Sequence, residues 1–298
     1  MLLYLRNIYY KLWQVPLIKP LLHRLEYPIK FILFFCCQPG LRRQWKTRIE
    51  DVIHCPDNRY IPRVKNAGKI IDGCLVMHNG LRIIKGSYYG IGNLLLLKYN
   101  RGVHEPQEER IFMEVLKYMP EDAVMIELGA YWGFYSMWFH KEVKRPTCYL
   151  VEPEQRNLEF GKDNFAVSNM TGSFRQGFVG AMSGKTKEGI DIICVDDYIR
   201  ENNVKRVNIL HADIQGAEYD MLTGAADALH ADKIDYIFIS THTNELHQEC
   251  LAFLNAHNFH IIAEADVSGS YSVDGIIAAR RGSLQGLGSV NISKYIRR

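Results

Sequence analysis

The 298-residue chain shows no stretch expected to cross a bilayer. Arg6, Lys11, Lys19, Arg24 and Lys30 interrupt its apolar start, and the longest uncharged run there, Phe31 to Leu41, is about half of the ~20 residues a span needs. No secretory leader is expected. Its seven cysteines, at 36, 37, 55, 74, 148, 194 and 250, are odd in number and never spaced as Cys-x-x-Cys. A disulfide framework and a thiolate metal cluster are thereby disfavoured, and a reducing cytoplasmic setting is expected. Phosphate-cradling motifs are missing too. There is no G-x-x-x-x-G-K-[ST], and the nearest approach to G-x-G-x-x-G carries Tyr131 at its middle position. Acids are scarce at one end: residues 1–50 hold two against nine Lys/Arg, so they carry +7 and the remainder −4. The net charge of +3 is too mild to imply a nucleic-acid partner.

What is present changes character along the chain. Residues 1–50 read as a basic helical segment broken by Pro16, Pro20 and Pro28, with a turn at Pro39-Gly40. Its charge and aromatics fit a helix on an anionic membrane face, or burial against protein in a homo-oligomer. Residues 51–104, with Gly and Asn between short aliphatic runs, read as a β-rich subdomain of hairpins. From 105 to 281, short apolar strands alternate with helical stretches, which predicts a doubly wound, Rossmann-like α/β domain with a mostly parallel sheet. Strands are expected at 123–128, 147–151, 173–179, 207–212, 233–240, 260–264 and 275–279, and helices at 133–143, 154–168, 192–202, 216–230 and 244–257. Residues 282–298 read as a loose basic tail.

Two strand ends carry chemistry. The first runs Val124 to Leu128, with Glu127 near its tip, then Gly129, Ala130, Tyr131, Trp132 and Gly133. Ligands of doubly wound sheets bind beyond such carboxyl ends. Gly129 permits a tight turn, Gly133 opens a helix, and Glu127 suits an ammonium. The second strand ends at Glu152, placed to accept two ribose hydroxyls. A ribose and an amino acid without phosphates point to S-adenosylmethionine.

At these residues the chain resembles the FkbM-type methyltransferases, within the class I S-adenosylmethionine-dependent superfamily. The resemblance spans roughly residues 102–281. It rests on Gly102-Val103-His104-Glu105-Pro106, on Glu127, Gly129, Ala130, Gly133 and Ser136, and on Glu152-Pro153 with Asn157 and Asn164. It continues in Val195 to Ile199 and in His211-Ala212-Asp213-Ile214-Gln215-Gly216-Ala217-Glu218. The family pattern for the last is Lys-x-Asp-x-Glu-Gly-x-Glu. The resemblance implies a seven-stranded sheet of order 3-2-1-4-5-7-6. It implies that Glu127 and 129–133 hold the methionine part, Glu152 the ribose, and that Asp213 lies beside the transferred methyl. It also implies an O-methyltransferase of sugar or glycan hydroxyls, releasing S-adenosylhomocysteine.

Two departures bear on chemistry: the family Lys is His211, and the family's inner Glu is Gln215. His242, after the fifth strand, is the expected general base beside Asp213. His211, His247, His257 and His260 are expected on the surface or in packing. Mg²⁺ is not favoured; Asp213 and Glu218 are its candidate ligands. Other readings are a degenerate scaffold protein and a methyltransferase of a non-sugar metabolite.

Overall fold

The computed structural model describes residues 39–88 and 90–296. Most of the basic segment, and with it the membrane contact, therefore lies outside the described residues. The first element, α1 (Pro39–His54), shows that Pro39 opens a helix instead of forming a turn, since proline at the first helical position forfeits no hydrogen bond. The helix also runs through residue 50. A short 3₁₀ turn, Pro56–Tyr60, follows.

The β-rich reading of 51–104 holds only in its middle. There β1 (Ile70–Ile71), β2 (Cys74–Val76) and β3 (Arg82–Ile84) form an antiparallel sheet. The Gly/Asn-rich stretch after it is a helix, α2 (Gly90–Tyr99). Leu94, Leu96 and Leu97 are buried along it, and Gly92 leaves room for the Trp45 ring of α1, which a Cβ would overlap.

Helix α3 (Pro106–Leu116) buries Ile111, Phe112, Val115 and Leu116. The alternation that follows comprises β4 (Val124–Leu128), α4 (Phe134–Glu142), β5 (Thr147–Glu152), α5 (Gln155–Val167) and β6 (Ser173–Gln176). After it come β7 (Phe178–Val179), β8 (Gly184–Lys185), β9 (Asp191–Ile193), α6 (Val195–Glu201) and β10 (Val207–Ala212). The last elements are α7 (Glu218–Thr223), α8 (Ala226–His230), β11 (Ile234–Thr241), α9 (Asn244–Ala256), β12 (Phe259–Ala265) and β13 (Gly275–Arg281).

Seven of these strands form one sheet in the order β12-β13-β11-β10-β4-β5-β6, the order the resemblance implies. β13 is antiparallel to both neighbours; the other pairings are parallel. β10 and β11 are buried at every residue, as expected of parallel strands covered on both faces. One core layer gathers Phe112, Phe134, Trp138 and Phe238; the opposite layer gathers Leu210, Met221, Ile237 and Leu254.

Three expectations are corrected. The strand expected at 173–179 breaks at Gly177, and β7 joins β9 and β8 in a separate small sheet. The helix expected at 216–230 breaks near Gly224, where a Cβ would press on the Gly180 carbonyl at 2.8 Å. The terminal segment is not loose. Ile292 is buried, Ser293 N donates to Asp57 at 2.8 Å, and Gln107 donates to the Ser293 carbonyl at 2.6 Å. Its apolar Leu284, Leu287 and Val290 pack on the core. Among the described residues, no helix is long and apolar enough to cross a membrane.

Candidate active site

A cavity of about 530 Å³ opens at the carboxyl ends of β4, β5 and β10, within the range of about 300–1,000 Å³ typical of small-molecule sites. This is the switch point of the sheet, where β4 lies between β5 and β10.

Gly129 follows β4 with φ +73°. A Cβ there would overlap the carbonyl oxygen of Asp213 and stand 2.7 Å from its carbonyl carbon, so only glycine lets the two strand ends meet. Tyr131 is left-handed as well, at φ +43°, and its N–H donates to Glu152 Oε2 at 3.0 Å. The turn thus keeps a glycine-like backbone while projecting an aromatic ring into the cavity wall.

Glu127, Gly129, Ala130, Glu152 and Asp213 all line the cavity. The other expected cofactor residues do not. Ser136 donates its backbone N–H to Glu127 Oε2 at 2.9 Å, and Asn157 donates to Glu152 Oε1 at 3.3 Å. Both orient a carboxylate from behind. A Cβ on Gly133 would press on Phe165 and Leu150, so its glycine answers packing. Burial raises the pKa of Glu127 and of Glu152, opposed by His211 at the first and by backbone N–H donors at the second. At the far end Phe178 and Val179 give an apolar wall.

Asp213 belongs to a second cluster. His242 sends Nδ1 to Glu218 Oε1 at 2.8 Å, while Nε2 lies 3.2 Å from Asp213 Oδ1 and 3.4 Å from Asp274 Oδ1. Burial opposes charge on this imidazole, but the surrounding carboxylates prevail and push its pKa up to about 10. This favours the charged ring and weighs against the general-base role expected of it; the Gln215 amide nitrogen also stands 2.8 Å from Nε2. His242 is not among the cavity-lining residues; it meets the cavity through Asp213. The ring also stands between Asp213 and Glu218, where the candidate metal would have to sit. Among the described residues no group of three or more ligands could hold a metal ion. Asp274, absent from the sequence reading, has its pKa raised to about 7 by burial and by Asp213.

The largest omission is the polar inner wall. His211 is buried and lines the cavity, with Nε2 held by Glu108 Oε1 at 2.7 Å. Beside it His104 sits between Glu109, 2.6 Å from Nδ1, and Glu105, 3.2 Å from Nε2. Burial disfavours the His104 charge, yet Glu105 and Glu109 raise its pKa to about 10. Tyr135 donates to Glu105 at 3.0 Å. The signal was four titratable residues, His104, Glu105, Glu108 and Glu109, packed around the start of α3. With Glu105, Glu127, Glu152 and Asp213 on its wall, the cavity suits a ligand that carries positive charge and hydroxyls. The ammonium, sulfonium and ribose of S-adenosylmethionine fit that donor set.

The model of a family described as the methyltransferase FkbM domain matches residues 151–261. No curated protein matches the chain. Among solved structures, a methyltransferase FkbM from Methylobacillus flagellatus is similar at 20% identity and TM-score 0.40, over 53% of this chain and 43% of that one. This chain thus spans less than half of that protein. M. capricolum TrmK, in complex with S-adenosyl-homocysteine, aligns at 11% identity and TM-score 0.40, over 60% and 74% of the two chains. A precorrin-6y C5,15-methyltransferase from Geobacter metallireducens aligns at 15% and 0.39, over 57% and 87%.

Proposed function

We propose that this chain, which carries an FkbM-type methyltransferase domain on a Rossmann-like sheet, methylates a hydroxyl oxygen of a sugar or glycan. The observation that carries the reading is Asp213 on the cavity wall, its main chain packed against the Gly129 turn and its carboxylate 3.2 Å from the His242 ring. The sugar class is supported by the family resemblance and by the polar inner wall. Bound S-adenosylmethionine would supply a methyl group already activated by its sulfonium.

The remaining chemistry belongs to this chain. Glu127 would hold the ammonium and Glu152 the ribose hydroxyls. Asp213 would orient the acceptor hydroxyl and take its proton at a carboxylate oxygen, which restores nucleophilicity to a weakly acidic alcohol. His242 acts through Asp213, holding it ionised and aimed. Most of the acceleration comes from alignment. No divalent cation enters this reading, because the His242 ring fills the place between the candidate ligands.

Incubation with S-adenosylmethionine and a panel of nucleotide sugars and glycans, read by mass for the gain of one methyl, tests it. Asp213→Asn should lower kcat by roughly 10²–10⁴-fold, the worth of a positioned base, and leave S-adenosylhomocysteine binding intact. Near wild-type turnover in that variant would remove Asp213 from the mechanism.

A further inference from the structure

A recess of about 690 Å³ lies between α1 and the loop at 267–273. Its charge is opposite to that of the cavity. Arg43 and Arg48 face it, together with the hydroxyl-bearing Thr47, Ser268 and Tyr271. Its one acid, Asp51, already accepts from the Tyr295 hydroxyl at 3.2 Å. Among the described residues, no carboxylate pairs with Arg43 or Arg48, and Arg48 Nε is buried without an acceptor. The Arg48 guanidinium is steadied 4.9 Å from the centre of the Trp45 ring, which the Gly92 slot holds.

The recess adjoins the reacting end along the chain. Its wall ends at Val273, and the next residue, Asp274, reaches His242 Nε2 at 3.4 Å, the same nitrogen that meets Asp213. At about 3.3–3.6 Å per residue, one or two residues of chain separate recess wall and His242 cluster. Arg48 also acts electrostatically on Asp274 and on Tyr88, a residue of the cavity wall.

We propose that this recess anchors the acceptor by binding an anionic group, a phosphate or a carboxylate, on a sugar whose hydroxyl reaches Asp213. Two guanidiniums with no carboxylate partner among the described residues offer forked donors that match such oxyanions, and neighbouring hydroxyls complete the shell. The inference rests on the methyl-transfer reading above and adds the acceptor's charge to it. It also explains how an anionic substrate is held beside a carboxylate-rich cavity: its charge is met outside that cavity.

Full-length protein is titrated with S-adenosylhomocysteine, then with glucose 1-phosphate, glucuronate and neutral methyl glucoside. Wild type, Arg43→Ala, Arg48→Lys, the Arg43→Ala/Arg48→Ala double variant and an exposed control, Lys187→Ala, are compared. At least one anionic sugar should bind tenfold or more tightly than methyl glucoside. Arg43→Ala, on an exposed position that leaves the fold intact, should weaken it severalfold, the double variant tenfold or more, and Arg48→Lys less. The control should match wild type. Preference for glucose 1-phosphate assigns a phosphate, and preference for glucuronate a carboxylate. Equal binding of neutral and anionic sugars, or wild-type affinity in Arg43→Ala and the double variant, overturns the proposal. Arginine-dependent anion binding by a protein that takes no S-adenosylhomocysteine would refute the methyltransferase reading and leave the recess standing.

Discussion

Replacing Gly129 by alanine probes the contact on which the site is built. The residue lies at φ +73°, and an added Cβ would collide with the backbone of Asp213. Left-handed backbone costs a non-glycine residue roughly 1–2 kcal/mol, and forcing atoms into a packed place adds roughly 1–3 kcal/mol. Because the obstacle is main chain, no side-chain rotation relieves it. The expected loss is therefore about 2–5 kcal/mol. Gly73 gives the matched control: its φ is +76° and nothing lies within 4 Å of its would-be Cβ. Gly73→Ala should incur only the backbone part. At roughly 2–4 °C per kcal/mol for a chain approaching this size, the melting point should fall about 4–20 °C in Gly129→Ala and about 2–8 °C in the control. S-adenosylhomocysteine affinity should fall in Gly129→Ala alone, since the Gly129 turn and the main chain at the end of β10, which wall the cavity, must part. Thermal unfolding followed by circular dichroism, with a cofactor titration on each variant, reads both effects. Equal melting points with unchanged affinity would refute the close approach of the β4 and β10 ends.

The raised pKa of His242 fixes the sign of a pH effect. Its charged form gains stability in the fold, so the contribution is complete below its ordinary value of 6.5 and is lost as pH rises through about 10. The melting-point gap between wild type and His242→Gln should be widest near pH 6 and close above about pH 10; a gap that ignores pH would contradict a charged ring. Glu109 is fully buried and serves His104 and His78 together, so Glu109→Ala should cost about 3–5 kcal/mol in urea unfolding, as when one partner of a buried pair is removed. A loss below about 1 kcal/mol would show that the inner wall tolerates an unpaired His104.

The sheet was legible because its strands are short apolar runs with chemistry at their tips. Glu127, Gly129 and Glu152 announce neighbouring strand ends by type and spacing alone. Other features depend on partners distant in sequence. Gly90 and Gly92 look like turn residues, and only the Trp45 ring against Gly92 shows why a glycine stands inside α2. Glu105, Glu108 and Glu109 look like acids complementing a helix start, and only the placing of α3 beside His211 and His104 buries them. His242 was legible as a residue of interest but not in its protonation state. That state depends on Asp213, Glu218 and Asp274, which arrive from three separate segments. The terminal strap is not legible because its anchors, polar contacts with Asp57 and Gln107 and scattered apolar side chains on the core, form no periodic pattern.

The central claim, a nucleoside-amino-acid site at the ends of β4 and β5, is tested most directly by calorimetric titration of S-adenosylhomocysteine into wild type and Glu152→Ala. The account predicts one site per chain in the wild type and at least tenfold weaker binding in the variant, equivalent to about 1.4 kcal/mol or more. Equal affinity in both proteins, or tight binding of NAD in place of S-adenosylhomocysteine, would contradict it.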